Sequence, residues 1–291
     1  TLLRLLGDRD ERVEVAAVEA LSKLRVESAR TELLVRARLG VPDVRAAALR
    51  GVGRLGGEFV LDALSLAVAD PDAMVRTAAA WGLADLHDPS SSSLLIGMLG
   101  QGEGVSTTEP ARVGLLAMGP GAWTELLRVV HSPTHRARRD AALLLSAQCV
   151  PDTASSMMAM LSTDPRDDHI ASELAILSGV DLRAQADPAG AWWSWWDGVV
   201  HDDALSWFLS ALSRAGASPP AKEAFSGPGT PEARLFLVEV LSRREPHLVE
   251  RARRELARMM SREIGAVPMK GADRQAWIEG LRAAIESPAP K

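Results

Sequence analysis

Six histidines, one cysteine and eight tryptophans are the residues of this 291-residue chain whose chemistry would go beyond packing. His131 and His135 are four apart, a ligand spacing on one helical turn, but Pro133 between them makes the segment a turn. None of the six histidines is followed by Glu, which removes the repeated His-Glu pairs of a di-iron centre. His201-Asp202-Asp203 reads as the N-cap of a helix over 204–212 rather than as a ligand set. Cys149 has no second thiol, so disulfide frameworks and cysteine-rich zinc sites are excluded, and the absence of Tyr excludes tyrosine catalysis. Trp193 and Asp197, at i and i+4, could set a ring and a carboxylate around a cation. The expectation is a protein with no catalytic residues, no metal and no cofactor.

Composition narrows the partner. The sequence is 47% hydrophobic and carries a net charge of −5, without the basic footprint that phosphate neutralisation requires. Arg251, Arg253, Arg254, Arg258 and Arg262 alternate with Glu250, Glu255 and Glu263, which predicts a solvated helix with internal ion pairs. No nucleic acid is expected. The weakly charged stretch 141–163 is split by Pro151 and Asp152 into two helices too short to span a membrane. Thr1 falls inside a leucine-rich helical pattern and reads as a start within a longer protein, so localisation stays open with the cytoplasm favoured.

These side chains must be held by something, and the sequence is built on a repeat. Val13, Val44 and Val75 recur at intervals of 31 residues, as do Ala16, Ala47 and Ala78, then Ala17, Ala48 and Ala79, and Leu24, Leu55 and Leu86. Within a unit the spacing is that of one helical stripe. Small residues let neighbouring helices approach, and Leu24, Leu55 and Leu86 are expected to close each seam, at about 2–5 kcal/mol per truncation to Ala. Shorter helices over 2–6, 32–39 and 59–68 precede the stripes, each ending in a turn: Asp8-Arg9-Asp10, Val41-Pro42-Asp43 or Asp70-Pro71-Asp72. Such hairpins bury their apolar faces only by stacking.

The segment from Asp70-Pro71-Asp72 through Val75-Arg76-Thr77-Ala78-Ala79-Ala80, with Pro42-Asp43-Val44-Arg45 before it, resembles the short HEAT repeat, the type also found in phycobilisome-lyase-like repeats. The likeness is good over 1–88 and fair to about 180. It implies an all-α solenoid of about six stacked hairpins whose second helices line the concave side. It also implies a ladder between units, with Asp70 and Arg76 as members, although Glu14 replaces the Arg in the first unit and Leu39 the Asp in the second. Trp81 aligns with the polar Glu19 and Arg50, so it either faces solvent on the concave side or packs against the fourth unit. With Arg45, Arg50, Arg54 and Arg76 nearby, the concave face would be aromatic and basic.

Beyond three regular repeats (1–88) come three degenerate ones (89–180), with a glycine-rich insertion at 100–104 expected to project as a loop. Trp-rich closing helices (181–216) and a C-terminal helical extension (217–291) follow. Five tryptophans fall between Trp192 and Trp207, and the phrase Gly179…Asp187…Trp192 returns as Gly265…Asp273…Trp277. Each copy reads as an Asp-capped helix and resembles a closing element of bacterial HEAT-repeat proteins. Trp192 and Trp196 share a face and Trp195 is expected to point elsewhere. The helix is either buried on two sides, or leaves Trp193 or Trp195 as an anchor for a partner. The reading is a non-catalytic scaffold or adaptor that binds another protein. The alternative is a HEAT-like alkylpurine DNA glycosylase or another nucleic-acid-binding HEAT protein, in which Trp193 and Asp197 would face the base.

Overall fold

A computed structural model describes residues 2–100, 107–269 and 271–286. The protein divides into two compact units, 1–144 and 145–291. Among the described residues the only regular structure is helical, and no helix is long and apolar enough to cross a membrane. Residues 101–104 of the glycine-rich insertion lie outside the described residues.

In the first unit a 3-10 turn, Leu2–Leu5, precedes α1 (Glu11–Lys23), α2 (Arg30–Leu39), α3 (Pro42–Leu55), α4 (Val60–Ala67), α5 (Ala73–Leu86), α6 (Ser92–Leu99), α7 (Thr108–Met118) and α8 (Pro120–Val130). The turn residues set the boundaries as their chemistry dictates. Asp10 accepts from the Arg12 amide and Asp72 from those of Met74 and Val75, while Pro42 sits in the first turn of α3. In the second layer α3 lies between α1 and α5, and α7 packs on α5; α2, α4 and α6 pack on them from the first layer.

The seam runs one turn away from the expected leucines. Ala17, Val18 and Leu21 of α1 are buried, as are their 31-residue equivalents Ala48, Leu49 and Val52, then Ala79, Ala80 and Leu83. Leu24, by contrast, is 67% exposed, and Leu55 and Leu86 are only partly buried. The correction has a simple cause: Leu24 is the C-cap of α1, where the backbone leaves the helix and the side chain leaves the stripe.

Small residues do set the helix spacing. A Cβ added to Gly53 would lie 2.4 Å from the Gly82 carbonyl oxygen and 2.5 Å from its Cα. Backbone yields less readily than a flexible side chain. Gly53→Ala gains up to about 1 kcal/mol of helix propensity, yet overpacking costs about 1–3 kcal/mol. Net destabilisation is expected in thermal melts; a stabilised variant would show that α3 and α5 can move apart freely.

In the second unit, α9 (Arg138–Ala147), whose last residues belong to it, leads to α10 (Ala154–Thr163), α11 (Asp168–Ser178), α12 (Pro188–Asp197), α13 (Ala204–Arg214), α14 (Pro231–Val240), α15 (Pro246–Met260) and α16 (Gly271–Glu286). α12 packs on α10, and α15 on α11, α13 and α14. Phe208, Leu212, Phe225, Leu237 and Leu256 belong to one apolar core, so residues on both sides of Ser218-Pro219-Pro220 share it. Asp187 caps α12 by accepting from the Gly190 amide at 3.0 Å. The echo is incomplete: Asp273 is the third residue of α16, inside the first turn rather than before it, while Trp277 and Leu281 do pack against the core.

Candidate functional site

Across the exposed face of α1, α3 and α5 runs a groove of about 750 Å3. The 31-residue repeat places its lining in rows. Arg12, Asp43 and Met74 form one, then Val15, Ala46 and Thr77, then Ala16, Ala47 and Ala78, then Glu19, Arg50 and Trp81. The floor is therefore small and apolar, with charge at its two ends. Met74 is 46% exposed beside it, a flexible apolar side chain suited to contact. Trp81 is partly exposed, and the Arg50 guanidinium carbon stacks 5.3 Å from its ring centroid.

The other candidate arginines hold the scaffold together. Arg45 reaches into the next repeat, donating to both Asp70 oxygens at 2.9 and 3.1 Å and to the Gly40 carbonyl at 3.1 Å. Burial pushes the Asp70 carboxyl up, but the Asp72 amide and Arg45 outweigh it and hold the group below the usual range. Arg76 closes its own turn on the Asp70 and Pro71 carbonyls. The ladder thus pairs Asp70 with Arg45, not with Arg76. Its first rung is reversed in sign: Arg36 of α2 donates to Glu14 of α1 at 2.8 Å and to the Leu6 carbonyl. Arg54 is bonded to Asp85 at 3.2 Å.

In the second unit Trp195 does not point away from the cluster. Its ring lies 5.8 Å from Trp192, 6.3 Å from Trp196 and 5.3 Å from Trp207, and Trp207 lies 5.6 Å from Trp196. Trp207, contributed by α13, bridges faces that helical angles alone separate. Trp193 is 37% exposed, with its indole N–H donating to the Ser162 hydroxyl at 3.2 Å. His135 uses Nδ1 to accept from the Ala137 amide, and Asp203 caps α13 by accepting from the Ser206 amide. Among the described residues no three His, Cys, Asp or Glu side chains gather as a metal site. Burial pushes the Cys149 thiol up, against the pull of Arg251 and Arg254, which disfavours the thiolate.

α15 is not a solvated helix. Arg251 and Glu255 are 1% and 4% exposed, and Arg254 makes paired 2.8 Å bonds to both oxygens of Glu173 on α11 and a third, at 2.9 Å, to Glu250. Burial opposes its charge, but the two carboxylates hold Arg254 above even the usual arginine range. Arg258 binds the Phe225 and Gly227 carbonyls as well as Glu255. Glu173, 81 residues from Arg254, is beyond the reach of spacing arguments.

The stacked hairpins, their 31-residue period and the inter-repeat ion pairs agree with a match of residues 31–107 to the family of HEAT repeats. This segment is a HEAT-repeat array. Among solved structures the protein is similar to the complex of CpcE and CpcF of phycocyanin lyase from Nostoc sp. PCC7120, at 20% identity and a TM-score of 0.38, covering 76% of this sequence and 89% of that one. It is also similar to an engineered protein, at 16% identity and a TM-score of 0.38, covering 96% and 80% respectively. No curated protein sequence matches. The HEAT-repeat array is a helical repeat scaffold, and its α3 and α5, together with α1 before it, carry the groove.

Proposed function

We propose that the protein is a non-catalytic scaffold that binds another protein through the groove on α1, α3 and α5. The observation that carries the reading is the groove itself, an apolar floor three helices wide ending at Arg50 stacked on Trp81. Stacked repeats offer extended surfaces, and Trp and Arg are the residues most enriched among binding hot spots. Ala47 lies at the centre of the floor and is only partly buried, so a long side chain there obstructs the groove without entering the core. Ala47→Arg is expected to weaken capture of the partner by about tenfold or more, whereas replacing Leu66, 66% exposed and outside the groove lining, by Arg leaves it within about twofold. Equal capture by both variants would place the contact elsewhere.

A further inference from the structure

Arg50 differs from the other arginines that lie on or beside the groove and its ladder, Arg12, Arg36, Arg45, Arg54 and Arg76. Arg36, Arg45, Arg54 and Arg76 are engaged by carboxylates or carbonyls, and Arg12 lies against Asp10. Among the described residues Arg50 makes no hydrogen bond or ion pair; its Nε is buried without an acceptor, and its guanidinium stacks on the Trp81 ring. A guanidinium fixed by stacking, with open donors, is pre-organised for a planar bidentate acceptor.

Its surroundings agree. Arg50 lines both the main groove and an adjoining cavity of about 150 Å3 that also presents Glu19, Lys23 and Arg54. Lys23 lies 3.5 Å from Glu19, and Arg54 is neutralised by Asp85, so those charges cancel in pairs. Arg50 remains as the one uncompensated charge at that end of the groove. At the opposite end Glu11 and Asp43 outnumber Arg12. The groove is therefore polar along its length, cationic at Arg50 and acidic at the other end, with Val15, Ala46, Ala47 and Ala78 between.

We propose that the groove takes a peptide segment of a partner protein that lays apolar side chains on this floor and seats a carboxylate on Arg50 against Trp81. This rests on the reading of the groove as a protein-binding surface. The carboxylate fixes which way the segment runs, because the reverse orientation sets it among Glu11 and Asp43. An Asp or Glu side chain, or the free carboxylate at the end of a polypeptide, would supply the same two oxygens.

The test uses peptides selected from a random library against the intact protein, then synthesised in pairs. One arm replaces each Asp or Glu by Asn or Gln; the other amidates the C-terminus of peptides displayed with a free one. Binding that Ala47→Arg abolishes identifies the groove. For those peptides, removing the carboxylate is expected to cost about tenfold or more with the wild-type protein and less than about twofold with Arg50→Gln. The arm that responds names the source. Arg50→Lys, which keeps the charge but not the fork, is expected to restore only part of the loss and serves as the comparison if Arg50→Gln unfolds. Groove-bound peptides indifferent to both carboxylate removals would overturn the inference and leave the protein-binding reading standing. A library without any peptide sensitive to Ala47→Arg would overturn the reading itself.

Discussion

Glu173→Ala is expected to destabilise the 145–291 unit by about 3–5 kcal/mol, the scale for leaving one partner of a buried ion pair behind. The side chains of Arg254 and Glu173 are 14% and 13% exposed, and Glu173 supplies two of the three bonds that the guanidinium makes to carboxylates. Glu250 cannot replace it, because its oxygens already serve Arg253 at 2.6 and 2.8 Å. Urea unfolding of the 291-residue protein provides the measurement, followed by tryptophan fluorescence, since six of the eight tryptophans lie in this unit. Removing both charges, as Glu173→Leu with Arg254→Met, should recover most of the loss, since a buried pair adds little over well-packed apolar groups. A Glu173→Ala midpoint equal to wild type would mean that water screens the pair.

Leu49→Ala is expected to cost the first unit about 2–5 kcal/mol, and Leu24→Ala less than about 0.5 kcal/mol. The two leucines belong to the same kind of helix, but Leu49 is 1% exposed between α3 and its neighbours, whereas Leu24 is 67% exposed at a helix end. Truncating Leu49 leaves a cavity lined by groups already packed on other sides, and truncating Leu24 leaves only solvent. Thermal melts of the two variants by circular dichroism would decide the seam. Similar losses for both would restore the row of Leu24, Leu55 and Leu86 as its centre.

The difference between these leucines also marks how far the amino-acid sequence is legible. A 31-residue period identifies which positions are equivalent, and the caps Asp10, Asp72, Asp187 and Asp203 fall where local chemistry requires them. Periodicity does not say where along the helix the neighbour crosses, so it identifies the buried Ala17, Ala48 and Ala79 but sets the closing leucines one turn too far along. Alignment alone brings Arg50 and Trp81 together, because a repeat carries equivalent residues to adjacent places. No repeat links Arg254 to Glu173, and an alternation of Arg and Glu has the same pattern whether its helix meets water or other helices. Trp195 defies the helical wheel for a related reason: its position is set by Trp207, a ring from the next helix.

The reversed rung between α1 and α2 gives the array an order. At the first junction the acid, Glu14, stands in the second layer and the base, Arg36, in the first; at the next the base is Arg45 and the acid Asp70. A copy of the middle repeat moved into the first slot would set its Arg45 against Arg36. A copy of the third repeat moved into the middle slot would set Glu14 against its Asp70. Like a pair of locks cut with opposite keys, the junctions accept their native neighbours and repel shuffled ones, so the succession of rows along the groove is written in the sign of two ion pairs.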